Sequence, residues 1–322
     1  MSKLKWGILG TGQIAQSLAE NFSSEVAELY AVASRNSEKA KQFATKNSIP
    51  HSYGDYHQML NDPSIDIIYI ATPHSHHYQW IKAALLAGKH VLCEKVITIN
   101  KEQLDEVIEI AHSKDLYLAE AMTIYHMPLY STISQWIKSN DVGSLKMIQV
   151  MFGSKKELDS DSYFFKKELA GGALFDIGTY ALSFARMFLT KKPTEIKTIG
   201  SLHESGVDET SGIVLKNNQQ ELATISLTFR ARMPKMGVVA FEKGYLTIMN
   251  YPRASTAVFT HDHGKEETIH AENHDHALNY EVDDFTNMII TQSENKFLQY
   301  TLDVVEIMDV VRKEWGLKYP FE

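Results

Sequence analysis

The chain has 322 residues, 44% of them hydrophobic and 22% charged, with 17 Gly and 8 Pro. At about 150 residues per domain this is a two-domain globular protein whose cores need neither disulfides nor structural metal, which excludes a peptide hormone or a minimal module. With 32 Lys and Arg against 40 Asp and Glu the net charge is −8, and no basic block is present to meet a phosphate backbone, so nucleic acid is not an expected partner. No apolar run approaches the ~18 residues of a membrane span. Met1 to Leu9 lacks the basic-then-apolar pattern of a secretory signal, and the one cysteine, Cys93, has no internal partner. The expected location is cytoplasmic, away from membranes.

Up to about residue 120, short apolar runs alternate with longer amphipathic stretches, the pattern of βαβ units on a parallel sheet. Strands are expected at 5–9, 29–33, 67–71, 90–93 and 117–119, with a weaker one at 51–53. Asp55 starts a helix toward Leu60, Ser75 starts one over 79–87 that Gly88 stops, and Asn100 with Gln103 reads as a capping box. Six strands fit a doubly wound sheet. After Ala121 a helix at 129–139 is followed by β-rich runs at 146–152, 195–202, 212–215, 222–229, 237–241 and 245–249. Helices at 175–189, 277–291 and 298–315 complete an α+β domain with a largely antiparallel sheet.

Directly after the first strand comes Gly10-Thr11-Gly12-Gln13-Ile14-Ala15. In a βαβ unit the first glycine permits a tight turn, the second lets the backbone approach a pyrophosphate, and Ala15 allows close helix packing. The helix amino terminus then offers N–H donors and positive dipole to the phosphates. At the end of the second strand the chain has Ser34-Arg35-Asn36 and no carboxylate to accept from an adenosine ribose hydroxyl. Arg35 can instead pair with a 2′-phosphate, Ser34 can donate to it and Lys39 can add charge, so NADP is expected over NAD.

Two further segments fall where open α/β sheets bind ligands: Ala71-Thr72-Pro73-His74-Ser75-His76-His77, and the strand ending at Glu94-Lys95. Lys95 directly follows an apolar strand, which is expected to set its ammonium in a partly desolvated crevice with Glu94 as a partner; a surface lysine and a structural salt bridge are the plainer alternatives. The histidines at 74, 76 and 77, like the pairs His261/His263 and His274/His276, raise the question of a metal. No cysteine accompanies them, and 260–279 reads as an exposed polar loop, so no metal site is expected. Farther on, Asp176 and Tyr180 stand four apart on an expected helix and so share a face. A tyrosine near a helix amino terminus and a lysine can serve as general acid or base; core packing for Tyr180 and a dipole role for Asp176 are the plainer alternatives. Within 154–167, Tyr163, Phe164 and Phe165 are read mainly as core aromatics.

Taken together these residues resemble the Gfo/Idh/MocA family of NAD(P)-dependent oxidoreductases over the whole chain. The carriers are 10–15, Ala71-Thr72-Pro73 with His77, the run Ala87 to Lys95, Glu120-Ala121, and Gly171-Gly172 leading to Asp176 and Tyr180. The resemblance implies a Rossmann dinucleotide-binding domain at 1–121 and, at 122–322, a substrate-binding domain built on a large open sheet that often mediates dimerisation, so a homodimer or a higher symmetric homo-oligomer is expected. It implies that Lys95 and Tyr180 act as the acid–base pair on a hydroxyl or carbonyl of a sugar, polyol or dihydrodiol, with Asp176 holding substrate or orienting the pair. Two departures stand out: the family's Glu-Lys-Pro is Glu94-Lys95-Val96 here, which relaxes the proline's constraint, and the common family histidine is Tyr180, as in the dihydrodiol dehydrogenase and glucose-fructose oxidoreductase branch. Rival expectations within the family are an NAD-dependent glycosidase, against which the NADP preference argues, and an NAD(P)-sensing regulator that would not need Lys95, Asp176 and Tyr180 intact.

Overall fold

A parallel strand covered on both faces reads as an uninterrupted apolar run, and Ile67–Ile70 is buried at every position. In the computed structural model, which describes residues 3–157, 162–272 and 277–322, this run is one of six parallel strands: β1 (Leu4–Leu9), β2 (Ala27–Ala33), β3 (His51–Tyr53), β4 (Ile67–Ile70), β5 (His90–Glu94) and β6 (Leu118–Ala121). Their order is β3-β2-β1-β4-β5-β6. The strand order reverses between β1 and β4, the point at which the carboxyl edge of a doubly wound sheet forms its ligand crevice. Between the strands run α1 (Gln13–Asn21), α2 (Ser37–Lys46), α3 (Tyr56–Leu60), α4 (His77–Leu86) and α5 (Lys101–Ser113). Asn36, Asp55 and Asn100 cap α2, α3 and α5, each accepting from the backbone N–H three residues on. Ser75 does not cap α4 as expected: a short 3-10 turn over His74–His76 precedes that helix, and the Ser75 hydroxyl bonds His76 Nδ1 at 2.9 Å.

The second half of the chain holds α6 (Thr123–His126), α7 (Pro128–Ser139), β7 (Leu145–Gly153), α8 (Thr179–Phe188), β8 (Pro193–Leu202), β9 (Asp208–Asn217), β10 (Leu222–Thr228), β11 (Met233–Phe241), β12 (Gly244–Met249), β13 (Thr256–His261) and β14 (Glu266–His270). The eight strands form one sheet ordered β14-β13-β12-β11-β7-β10-β9-β8, antiparallel except for the pair β7 and β10. The polar loop expected at 260–279 is corrected here. Thr256 to His270 pairs as an antiparallel hairpin turning at Gly264, whose φ is +86°. Edge strands in a polar segment have too little apolar alternation to declare themselves; of that loop, His274 and His276 lie outside the described residues.

One face of this sheet is covered by α8, whose Phe184 ring occupies the space above Gly237: a Cβ there would meet the ring at 2.2 Å. The strand register places Met147, Val214, Ile199, Tyr245 and Met249 together on the opposite face, where all five side chains are exposed.

Two helices close the chain, α9 (Leu278–Thr291) and α10 (Leu298–Glu314), and they belong to different units. The first unit comprises Met1–Met122 and His276–Leu298, the second Thr123–Asp275 and Gln299–Glu322. The unbroken second domain expected over 122–322 is therefore interrupted. Leu278, Val282 and Phe285 of α9 join the core around Trp6, with Trp6 and Phe285 edge to face at 6.1 Å. The Ser24 hydroxyl donates to Asp283 at 2.5 Å and fixes the same helix.

Candidate active site

Every strand that contributes to the crevice of the first unit ends in a loop at the carboxyl edge. After β1, Gly10 has a φ of +115°, and a Cβ on it would lie 2.6 Å from the Ala71 carbonyl oxygen. The turn after β1 can pack on the turn after β4 only because no side chain is there. Gly12 precedes α1 without a side-chain cap and faces nothing closer than Ala71 O at 3.9 Å. Its open side, with Thr11, Gln13 and Ile14 beside it, leaves the first N–H groups of α1 available to an anion. Thr72 Oγ1 is buried and has no hydrogen-bond partner among the described residues, a donor position left for a ligand. These features fit a dinucleotide.

At the end of β2, Ser34 is buried and bonded through its N–H to Tyr53 O at 3.1 Å, while Arg35 and Lys39 are exposed. Asn36 is committed as the cap of α2, accepting from Lys39 N–H at 3.0 Å. The Arg35 guanidinium lies against the Tyr56 hydroxyl and near His76; burial raises the first group's pKa and lowers the second's, and the cation opposes the rise of Tyr56 and adds to the fall of His76. No carboxylate occupies 34–36.

At the end of β5, Glu94 is buried and accepts from the Tyr69 hydroxyl and from Lys95 N–H, the latter at 3.2 Å. The Lys95–Val96 peptide bond is cis. Two groups brace the segment after Lys95. Ile97 N–H donates to Glu120 Oε1 at 3.0 Å, and His77, fully buried, sets Nδ1 2.7 Å from Val96 O and Nε2 2.8 Å from Thr72 O. Burial pushes the His77 pKa down to about 4 against the pull of the two carbonyls, with Lys95 adding to the fall. His77 therefore has no surface to offer a ligand and acts on the crevice by tying the turn after β4 to the turn after β5; His74 packs edge-on against it at 5.7 Å. Pro73 is exposed at the tip of the same turn.

In the second unit, Leu174–Gly178 forms a π-helical turn that runs into α8, with Thr179 N–H bonded to Leu174 O. Its hydrogen bonds span five residues in place of four, so the helix that carries Asp176 and Tyr180 opens on a widened turn, a feature frequent at functional sites. Asp176 pairs with Lys156, Nζ to Oδ2 3.6 Å, both side chains less than a fifth exposed. Lys156 also stands 3.6 Å above the Phe164 ring. Of the three aromatics at 163–165, Phe165 is core while Tyr163 is half exposed, its ring tilted 34° to that of Phe164 with centroids 4.0 Å apart. Tyr180, half-buried, lines a cavity of about 310 Å³ together with Phe152, Lys235, Asn250, Pro252 and Arg253. The buried Tyr251 hydroxyl has no partner among the described residues; burial raises its pKa well above the ordinary range, and Tyr180 adds to the rise.

Lys156, Lys235 and Arg253 are not marked in the sequence, since none sits in a motif: Lys156 reaches Asp176 from a loop, and Lys235 and Arg253 are brought together by the pairing of β11 with β12. Among the described residues no three His, Cys, Asp or Glu side chains gather as a metal site, and no helix is long and apolar enough to cross a membrane.

A parallel sheet ordered around a glycine-lined crevice, joined to a domain on an open antiparallel sheet, defines an NAD(P)-binding oxidoreductase. Residues 4–122 match the oxidoreductase family with NAD-binding Rossmann fold, and residues 130–247 match the GFO/IDH/MocA C-terminal domain. The chain belongs to the Gfo/Idh/MocA family. It is 32% identical over 331 residues to a trans-1,2-dihydrobenzene-1,2-diol dehydrogenase of Xenopus laevis, spanning 98% of this chain and 99% of that one. Its fold superposes on an aldose-aldose oxidoreductase from Caulobacter crescentus complexed with glycerol, with a TM-score of 0.88 at 21% identity over 98% of both chains. A 3-ketoreductase from Actinomadura kijaniata, in complex with NADP and TDP-benzene, superposes with a TM-score of 0.85 at 21% identity, covering 97% of this chain and 98% of that one.

Proposed function

We propose that the chain catalyses hydride transfer between NADP(H) and the hydroxyl or carbonyl carbon of a sugar, polyol or dihydrodiol, with Lys95 and Tyr180 as the acid–base pair. The observation that carries this reading is the placement of Tyr180, half-buried at the head of α8 and forming one wall of a small polar cavity. The dihydrodiol dehydrogenase relatives and the sugar oxidoreductase fold support the substrate class.

When bound, the nicotinamide supplies the hydride acceptor or donor. The chain's own groups move the proton and hold the substrate. In the oxidative direction the Tyr180 phenolate oxygen takes the hydroxyl proton as the carbonyl forms, and in the reductive direction the same Oη returns it to the carbonyl oxygen. The Lys95 ammonium donates a hydrogen bond to that substrate oxygen, and its charge favours the phenolate. Asp176 orients the substrate, its charge balanced by Lys156. For the cofactor, Gly10, Gly12 and the amino terminus of α1 take the pyrophosphate, Ala71, Thr72 and Glu94 line the crevice, and Arg35 with Ser34 and Lys39 takes the 2′-phosphate, which favours NADP over NAD.

Tyr180→Phe and Lys95→Met are each expected to lower kcat/KM by about 10²- to 10⁴-fold, read from nicotinamide absorbance with the substrate that turns over. Unchanged values in both would sink the assignment. The exposed apolar face that carries Ile199, Val214 and Met249 suits a symmetric homodimer, and a monomer in light scattering at micromolar concentration would refute that.

A further inference from the structure

The chain as a whole is acidic, with a net charge of −8, yet the cavity beside Tyr180 is rimmed by cations. Lys235, on β11, and Arg253, in the 3-10 turn after β12, both line it, and among the described residues no carboxylate does. A larger cavity of about 670 Å³ shares Lys235 and Asn250 and adds Lys155 and Arg232 against the single carboxylate of Glu157. Among the described residues, neither Lys235 nor Arg253 forms an ion pair, although other basic side chains of this sheet do, such as Lys146 with Glu242 and Lys216 with Glu195.

The backbone holds these cations in place. Asn250 adopts a left-handed conformation with φ of +51°, and its N–H donates to Lys235 O at 2.6 Å, tying the strand that bears Lys235 to the turn that bears Arg253. The Lys235 ammonium lies 4.8 Å from the centre of the Phe152 ring, another wall of the cavity. Tyr251, two residues before Arg253, anchors the turn in the core by accepting at its carbonyl from the Tyr130 hydroxyl at 2.5 Å. A concave surface that offers two unpaired cations, an amide, an aromatic wall and a phenol recognises a small ring bearing a negative charge. Local positive potential on an otherwise acidic chain would also draw such a ligand in.

We propose that the compound handled at Tyr180 carries an oxyanion, a carboxylate or a phosphate, which Lys235 and Arg253 hold. This rests on the assignment of Tyr180 to the reaction and narrows its substrates to acidic hydroxy or oxo compounds. The test is calorimetric titration of the NADP⁺-saturated protein with D-glucose, D-glucuronate and D-glucose 6-phosphate. Wild type should bind at least one acidic probe about tenfold tighter than glucose, or about 1.4 kcal/mol. The preference should fall severalfold in Lys235→Met or Arg253→Met and vanish in the double variant. Tighter binding of glucuronate points to a carboxylate, and tighter binding of the phosphate ester to a phosphate. Equal or better binding of glucose, no binding of either acidic probe, or a preference that survives the double variant would overturn the proposal. Binding needs no turnover, so Tyr180→Phe titrated alongside separates the two readings: a fully active Tyr180→Phe removes the catalytic role even where the charge preference persists.

Discussion

A Cβ on Gly172 would stand 2.2 Å from Asp208 Oδ1. The carboxyl group fills the space beneath the turn that leads to Asp176 and Tyr180, and its Oδ2 accepts from Leu174 N–H at 2.7 Å. Gly172 has a φ of +124°, a conformation that side-chain-bearing residues rarely adopt. Gly172→Ala thus meets both a backbone penalty and a buried polar neighbour, and is expected to cost about 2–4 kcal/mol. Urea unfolding should show a lower midpoint at unchanged m-value. A loss below about 0.5 kcal/mol would mean that the turn relaxes away from Asp208.

Asp208 itself makes stability depend on pH. Burial pushes its pKa up to about 7, against the opposing pull of backbone N–H groups and of Arg312. In the unfolded chain the same group titrates near ~3.9. The folded state holds the proton between those values while the unfolded state has released it, so this group's contribution is most favourable below about pH 4, declines as pH rises and is lost above about pH 7. Asp208→Asn keeps an acceptor for Leu174 N–H and removes the titration. The variant should gain about 2–4 kcal/mol relative to wild type between about pH 5 and about pH 8. Parallel unfolding curves at both pH values would show that Asp208 stays ionised.

The first unit was legible in the sequence because most of its strands are short apolar runs closed by turn residues. The expected strands at 5–9, 51–53, 67–71 and 90–93 lie within one residue of the observed ends. Three features were not legible, for different reasons. The helix 277–291 showed its amphipathic stripe, but nothing in the stripe says which core it joins; Trp6 and Phe285 meet across almost the whole chain. The π-helical turn at Leu174–Gly178 leaves no compositional mark, so the sequence reads the stretch as continuous α-helix. Lys156, Lys235 and Arg253 depend on tertiary placement: Lys156 reaches Asp176 from a loop twenty positions earlier, and the other two converge because β11 and β12 pair. Motifs point to candidate groups such as Lys95 and Tyr180, and they are silent on the charges set around Tyr180 by tertiary placement.

The proposed preference for NADP turns on Arg35. It is exposed at the end of β2, where a carboxylate would favour NAD, and it stands beside the Tyr56 hydroxyl and His76 without being buried by them. A guanidinium paired with a 2′-phosphate makes charge-assisted bonds that NAD cannot engage. Arg35→Ala should weaken NADP(H) about 10- to 100-fold, or about 1.4–2.8 kcal/mol, while leaving NAD(H) within about threefold. Thermal shift with NADP⁺, NADPH, NAD⁺ and NADH in parallel reads this directly, because a ligand that binds only the native state raises stability by RT ln(1 + [L]/Kd). The ligand-free variant should melt close to wild type, since the side chain is exposed. A larger shift with NAD(H) in wild type, or an NADP(H) shift untouched by the substitution, would transfer the preference away from Arg35 and reopen NAD as the cofactor.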